Sequence, residues 1–255
     1  MVCSSPFNHG NPFNTSRSDI LYSSTWDAKR RFPFSRQVED ENDNINTLSR
    51  FATSSVTLNR KWFPSNPVLL AVIETMRRIS CALSSSDLGR PDRAAVSYQI
   101  RFIEHQLTSL HDDNPKSPDS NVSISTVDLS PAFRLAALLY IRISFRELPP
   151  IAKMHLHLVH RIRLCIESDC STVDSCTNIE SLELIAWISF MGGATAIDSN
   201  DRKYFVGLLV AVCRVLGIQQ KAQLHTRLVG VCWKEGICEE SFGKIWKEIR
   251  QLQHC

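Results

Sequence analysis

Three histidines lie close together in the middle of the chain and form its most ligand-like group. They are His155, His157 and His160, and neutral imidazole is a common metal ligand. On a helix, residues two positions apart project to different sides, so only His157 and His160 share a face. Two ligands do not complete a zinc site, and the neighbouring Arg161 and Arg163 would repel a cation. We therefore interpret the group as a polar, partly exposed helix surface and predict no metal there.

The nine cysteines of the 255-residue chain could also bind metal, but their spacing disfavours it. Cys165, Cys170 and Cys176 come closest together, yet no two cysteines form the C-x-x-C pair that is typical of zinc sites. A zinc-cluster DNA-binding module needs six thiolates in two closely spaced sets. We therefore predict a reducing compartment and no metal site. Inside apolar helical stretches, cysteines then act as small hydrophobes, and this group comprises Cys81, Cys165, Cys213 and Cys232.

The sequence lacks the short motifs of the commoner catalytic and nucleotide-binding sites. It contains no H-E-x-x-H, G-x-S-x-G, G-x-x-x-x-G-K or G-x-G-x-x-G. We therefore predict that the protein is not an enzyme and that it has no catalytic residue and no cofactor. The alternative is a small-molecule-binding or enzymatic helical domain, because the histidine group and an apolar bundle could enclose a pocket.

Charge does not point to nucleic acid or to a membrane as the partner. Lys and Arg together number 29 against 26 Asp and Glu, which gives a net charge of +3. This surplus is too small to argue for either partner.

The longest apolar stretches are shorter than the ~20 residues that span a bilayer. Five arginines could line a basic strip, but without interleaved aromatic residues we interpret them as a solvated helix face; they are Arg134, Arg142, Arg146, Arg161 and Arg163.

Residues 1–60 differ in composition from the rest of the chain. They are rich in Ser, Asn, Arg and Pro, so apolar burial cannot offset the entropy lost on ordering them. We predict a disordered polar arm over this range and a helical domain over residues 61–255. Lys29, Arg30 and Arg31 form a candidate nuclear-import signal in the arm, and the alternative is a solvated charge run. Without a secretory signal, the expected location is the nucleus or the cytoplasm.

Apolar residues recur at three- and four-residue steps through most of the domain and predict helices. Asn66 caps the first helix ahead of a proline, and Pro91 opens the second. The polar residues of about 111–127 predict a flexible connection. Ser130 caps the third helix, again ahead of a proline, and apolar side chains on nearly every side place this helix in the middle of a bundle.

The later helices follow at short intervals. Pro149 and Pro150 end the third helix, because proline supplies no donor and disfavours helical geometry in the residue before it. The spacing of Thr177 and Glu180 matches a capping box at the start of the fifth helix. Gly217 closes the sixth in the left-handed conformation. We find no strand alternation and predict an all-α bundle of about eight helices.

Three tryptophans stand out in the C-terminal third of the chain. Trp187, Trp233 and Trp246 would each bury a large area, and each has an N–H group that needs an acceptor. We expect them to anchor the core. The sharper alternative is that they line a pocket for an effector.

Four landmarks in the C-terminal third occur in the order found in a known family. They are residues 180–193 with Trp187 and a glycine pair, residues 200–205, residues 214–218 and residues 238–246. Over about residues 95–255 the chain resembles the C-terminal part of the helical regulatory domain of fungal zinc-cluster transcription factors. The Zn2Cys6 DNA-binding cluster of those factors has no counterpart in the chain.

The resemblance implies a non-catalytic module that regulates through protein contacts and does not bind DNA directly. Its partner would be a protein of unknown identity, and a small-molecule effector is a second option. We expect neither a nucleic-acid nor a membrane partner. A further alternative is a truncated transcription-factor gene, because the family's regulatory region is usually longer and often follows a DNA-binding module.

Overall fold

A computed structural model describes residues 62–63, 66–84, 90–110, 128–150, 152–169, 178–197 and 199–253. All regular structure in these ranges is helical, which confirms the predicted all-α class and the expected number of about eight helices. The α-helices are α1 Pro67–Ser84, α2 Arg90–Ser109, α3 Ser130–Tyr140, α4 Leu156–Asp169, α5 Ile179–Thr195, α6 Ser199–Val215, α7 Lys221–Val231 and α8 Ile237–Gln253.

Helix α5 lies at the centre of the described helices and packs against α3, α4, α6, α7 and α8. Its residues from Leu184 to Gly193 are all buried, so the helix has almost no polar side to turn towards water. The sequence predicted this central place for α3, which is also largely buried and packs against α2, α4 and α5. None of the helices in the described ranges has the length and apolar content required to cross a membrane.

The predicted cap of the first helix is confirmed, since Asn66 Oδ1 accepts a hydrogen bond of 3.3 Å from the backbone N–H of Leu69. The predicted cap of α3 is wrong by one residue. Ser130 is the first helical residue, and its backbone N–H donates to Asp128 Oδ1 at 3.0 Å. The aspartate side chain supplies the acceptor, so the serine does not need to cap.

The start of α5 also differs from the predicted capping box. Its N-cap is Asn178, whose Oδ1 accepts a hydrogen bond of 3.1 Å from the backbone N–H of Glu180. The predicted cap, Thr177, lies outside the described residues. Asparagine is among the best N-cap residues because its side-chain oxygen reaches the free N–H groups of the first turn.

The end of α6 follows the sequence prediction. Gly217 has a φ of +64°, and the N–H of Ile218 donates to the carbonyl of Cys213 at 2.8 Å. This bond spans the last turn in the manner of a Schellman motif, which requires a left-handed residue before it.

The end of α3 does not follow the prediction of one regular helix that stops at the two prolines. Residues Ile141–Phe145 form a π-helical turn, in which the N–H of Arg146 donates to the carbonyl of Ile141 at 3.0 Å. Glu147 then adopts a φ of +53°, so the chain leaves the helix before Pro149. After the prolines, a 3-10 turn over Lys153–His155 leads into α4.

Candidate functional site

The best-connected group of side chains surrounds Trp187 on the central helix. Its ring is fully buried and lies 5.7 Å from the ring centres of both Phe133 and Tyr140 on α3. Its Nε1–H donates to the carbonyl of Cys232 at 2.7 Å. Trp187 therefore joins α3 and α5 to the segment that connects α7 with α8, and its N–H group has an acceptor inside the core.

A buried polar group lies beside this tryptophan. The hydroxyls of Tyr140 and Ser80 are 2.8 Å apart, and Ser80 Oγ is 3.7 Å from Cys232 Sγ. Burial raises the pKa of Tyr140 and that of Cys232 above their ordinary values. Both groups are therefore neutral near pH 7, where they act as hydrogen-bonding partners rather than as an anionic nucleophile.

Two cations hold the chain on either side of Cys232. Arg77 Nε donates to the carbonyl of Val231 at 2.8 Å. Lys234 Nζ donates to the carbonyl of Ser144 in the π-helical turn at 2.6 Å, and the lysine side chain is only 12% exposed. Together with the bond from Trp187, these contacts fasten the α7–α8 connection to α1, α5 and the end of α3.

The glycine pair of α5 permits a close helix contact. A Cβ atom on Gly192 would lie 2.6 Å from the buried ring of Phe205 on α6, so a side chain there would collide with the ring. The carbonyl of Gly193 accepts a hydrogen bond of 2.7 Å from Arg202. Arg202 also donates a hydrogen bond of 2.6 Å to the carboxylate of Glu248 on α8. The pair is a packing element between α5, α6 and α8.

The other two tryptophans lie nearer the surface than Trp187. Trp233 stacks on Phe190 with ring centres 5.4 Å apart and meets Phe242 edge-on at 5.6 Å. It is partly buried, and its Nε1 has no acceptor among the described residues. Trp246 is also partly buried against the core. All three tryptophans thus lie at packing seams.

One apolar recess opens beside α5 and α8, and the volume inside it is about 10 Å³. This volume has room for about one water molecule, whereas pockets that hold drug-sized ligands usually measure about 300–1,000 Å³, so the recess is too small for such a ligand. The thiol at its wall belongs to Cys238, whose pKa burial raises to about 11, which makes it a poor nucleophile. The lining residues are Ile143, Pro150, Phe190, Met191, Ala194, Ile237, Cys238 and Ser241.

The three histidines do not converge. His155 is fully buried in the 3-10 turn, with Nδ1 lying 3.1 Å from the carbonyl of Pro150, so its expected place on the helix surface is wrong. The ring provides a hydrogen-bond partner for the carbonyl of Pro150, which the turn at the prolines leaves without a regular backbone partner. His157 and His160 are exposed on α4. Across the described ranges, no three His, Cys, Asp or Glu side chains form a group that could hold a metal ion.

The candidate cysteine ligands and the arginines of the possible basic strip make contacts within the fold wherever the structure describes those contacts. Cys213 and Cys232 are buried free thiols, while Cys81 and Cys165 are half-buried. Arg146 pairs with Glu104 at 2.7 Å, and Arg163 pairs with Asp201 at 3.2 Å. Cys170, Cys176 and the cluster of Lys29, Arg30 and Arg31 lie outside the described residues.

The residues that tie distant helices together could not be recognised from the sequence. Each of them binds a group at least nine positions away, and no periodicity or motif indicates which group that is; they are Arg77, Ser80, Tyr140, Lys234 and Arg202. The one local indication of these contacts was the position of the basic residues. A cation next to an apolar segment needs a hydrogen-bond acceptor if that segment is buried.

Comparison with known proteins gives one match. A family model described as the fungal specific transcription factor domain matches residues 14–235. This match begins well before the landmarks of the C-terminal third and ends before residues 238–246. No curated protein and no solved structure matches the chain significantly.

Proposed function

Because the chain belongs to the fungal specific transcription factor domain family, we propose that it is a non-catalytic regulatory module that acts through contacts with other proteins. Membership of the family indicates the regulatory role. Protein contact as its means of action, and the absence of direct DNA binding, are the parts that we propose.

The observation that best supports the proposal is the way in which the polar groups around Trp187 are hydrogen-bonded inside the core. Tyr140, Ser80 and Cys232 could form a reactive set by residue type, yet they bond to one another in the core. Burial keeps the phenol and the thiol neutral, and turnover needs a charged or readily titrated group at a reachable site. These residues therefore support the fold.

The arginines support the absence of direct DNA binding. Arg146 and Arg163 pair with carboxylates, and Arg134 donates to the carbonyl of Leu107 at 3.1 Å. Paired side chains contribute less to the positive field that draws in a phosphate backbone. The sequence also has no C-x-x-C pair for a zinc cluster.

A tethering experiment tests the regulatory part of the proposal. The full chain is fused to an unrelated DNA-binding domain, and a reporter gene with the matching site is measured. We expect reporter output to change relative to the DNA-binding domain alone. The Trp187→Ala fusion is the matched control, since losing this anchor should cost about 3 to 5 kcal/mol and abolish the effect. An unchanged reporter with a folded wild-type fusion would contradict the proposal.

A binding experiment tests the DNA part separately. Purified full chain is mixed with a pool of random duplex DNA, with and without added zinc, and bound duplexes are sequenced. We expect only weak retention that disappears as salt rises, without enrichment of any sequence. Zinc-dependent enrichment of one sequence would show that the chain reads DNA by itself.

A further inference from the structure

The ring of His155 is fully buried, but only one of its two nitrogens is hydrogen-bonded. Nδ1 lies 3.1 Å from the carbonyl of Pro150, whereas Nε2 has no hydrogen-bond partner among the described residues. Because a carbonyl can only accept, Nδ1 carries the proton of the neutral ring. Protonation of Nε2 would add an N–H group without an acceptor and a positive charge without water. This site therefore accepts neutral imidazole and disfavours imidazolium.

The backbone next to this ring has no regular helical ladder. We call it the proline turn, and its described residues are 146–150 and 152–155. Glu147 in this turn has a φ of +53°, which is disfavoured for a residue that carries a side chain. The hydrogen-bonded N–H groups of the turn donate to carbonyls of residues 141–152; they belong to Arg146, Leu148, Ala152 and His155. Such a segment opens more readily than the helices on either side of it.

The charges around the ring do not stabilise an imidazolium. Burial lowers the pKa of His155, the hydrogen bond to Pro150 opposes this effect, and the positive charge of Arg142 in the π-helical turn lowers the pKa further. On α5, residues 184–197 contain no charged side chain. Glu235 in the α7–α8 connection is exposed. Carboxylates on the other neighbouring elements are paired with cations; the pairs are Glu104 with Arg146, Glu147 with Lys234, Glu167 with Arg163, Glu239 with Lys221 and Glu240 with Lys244.

We propose that protonation of His155 opens the proline turn while the helices around it stay folded, so that the turn is an acid-sensitive switch. In the open turn, water reaches both ring nitrogens and hydrates the imidazolium. The open turn takes up the proton first as pH falls below about 6.5, so the ratio of open to closed turn rises by up to about tenfold per pH unit. The switch is a property of the fold and does not depend on the proposed function.

Opening of the turn would change the surface between α5 and α8. Pro150 forms part of the wall of the small apolar recess, together with Phe190 and Met191 on α5 and Cys238 on α8. When the turn opens, these side chains lose the cover that Pro150 provides. The switch therefore couples pH to the exposure of apolar surface, as in other devices in which a histidine gains a charge.

Hydrogen–deuterium exchange of the full chain tests the switch at single amides. The reporters are the N–H groups of Leu148, Ala152 and His155, and those of α5 report on unfolding of the core. After correction for the intrinsic exchange rate, the opening equilibrium of the reporters should rise at least about fivefold from pH 7 to pH 5. The reporters should exchange faster than α5 at both pH values. Low urea should leave their exchange unchanged, because a local opening exposes little surface.

Three variants assign the effect to the ring. His155→Asn cannot take up a proton, so the opening equilibrium of its reporters should differ less than about twofold between pH 7 and pH 5. Arg142→Gln removes the cation that opposes the imidazolium and should reduce the acid-induced increase about twofold. His160→Asn, at an exposed position on α4, is the matched control and should keep the full increase. Circular dichroism confirms that each variant is folded.

Several outcomes would overturn the proposal. Reporters that exchange no faster than α5, or that respond to low urea as α5 does, would show that the turn opens only when the core unfolds. A wild-type chain whose reporters do not respond to acid would show that the ring does not control the turn. An undiminished increase in both His155→Asn and Arg142→Gln would assign the pH dependence to another group.

Discussion

At the scale of single residues, burial decides what each polar side chain does. Tyr140, Cys232 and Cys238 have pKa values raised by burial, so they remain neutral near pH 7. Trp187 and Ser80 have the same physical constraint, and both find partners inside the core. Residue type alone would have allowed reactive chemistry at several of these positions.

The glycine pair offers a matched test of packing. Gly192→Ala should destabilise the protein by about 1–3 kcal/mol, because the new methyl group would lie 2.6 Å from the ring of Phe205, which is itself held in the core. Gly207→Ala on α6 meets no atom within 4 Å and should stabilise by up to about 1 kcal/mol. Urea unfolding measures both, and equal effects would contradict the packing role of Gly192.

The buried histidine predicts a dependence of stability on pH. Burial lowers the pKa of His155 below its ordinary value, so the unfolded chain takes up a proton here before the native chain does. Stability should therefore fall as pH drops through about 6.5, and should be unaffected by His155 above that value.

Two variants isolate this effect. His155→Asn retains a donor for the carbonyl of Pro150 without a titrating ring, so melting temperature should vary less between pH 7 and pH 5 than in wild type. His160→Asn, on the exposed face of α4, should keep the wild-type slope. Parallel slopes for all three proteins would show that His155 is not the group responsible.

At the scale of elements, the α7–α8 connection is held by side chains from other parts of the fold. Trp187 donates to the carbonyl of Cys232 in the connection, and Arg77 donates to the carbonyl of Val231 at the end of α7. Lys234 of the connection donates to the carbonyl of Ser144. A π-helical turn leaves carbonyls without their regular partners, and a nearly buried ammonium group supplies one. These ties explain how a short connection can lie firmly against three helices.

Lys234→Met tests this tie. Methionine keeps most of the aliphatic chain but cannot donate to Ser144, whose residue is fully buried, so the free energy of unfolding should fall by about 1–3 kcal/mol. Lys203→Met, at an exposed position on α6, should change it by less than about 0.5 kcal/mol. Similar chemical-denaturation midpoints for the two variants would contradict the assigned role of Lys234.

At the scale of the whole molecule, the described helices pack around α5, and the polar residues 1–60 are predicted not to contribute to that core. Deletion of residues 1–59 should therefore leave the melting temperature nearly unchanged. Differential scanning calorimetry of the shortened and full chains checks this. Loss of a cooperative transition on deletion would show that the predicted arm belongs to the folded unit.

The class of the fold and several helix ends can be predicted from the amino-acid order alone. Three- and four-residue apolar periodicity is a local property, and so are the cap at Asn66 and the left-handed closure at Gly217. The family resemblance also came from local landmarks, and the match over residues 14–235 confirmed it. Such features depend on neighbours along the chain, so the amino-acid order reveals them.

Which polar residues contact one another depends on how the helices pack. Ser80 and Tyr140 are 60 positions apart, and Lys234 and Ser144 are 90 apart. The buried place of His155 and the π-helical turn after α3 also escaped prediction, because each depends on which carbonyls the packing leaves free. Hydrogen-bond partners across a core follow from how helices cross, and a one-dimensional pattern does not encode that geometry.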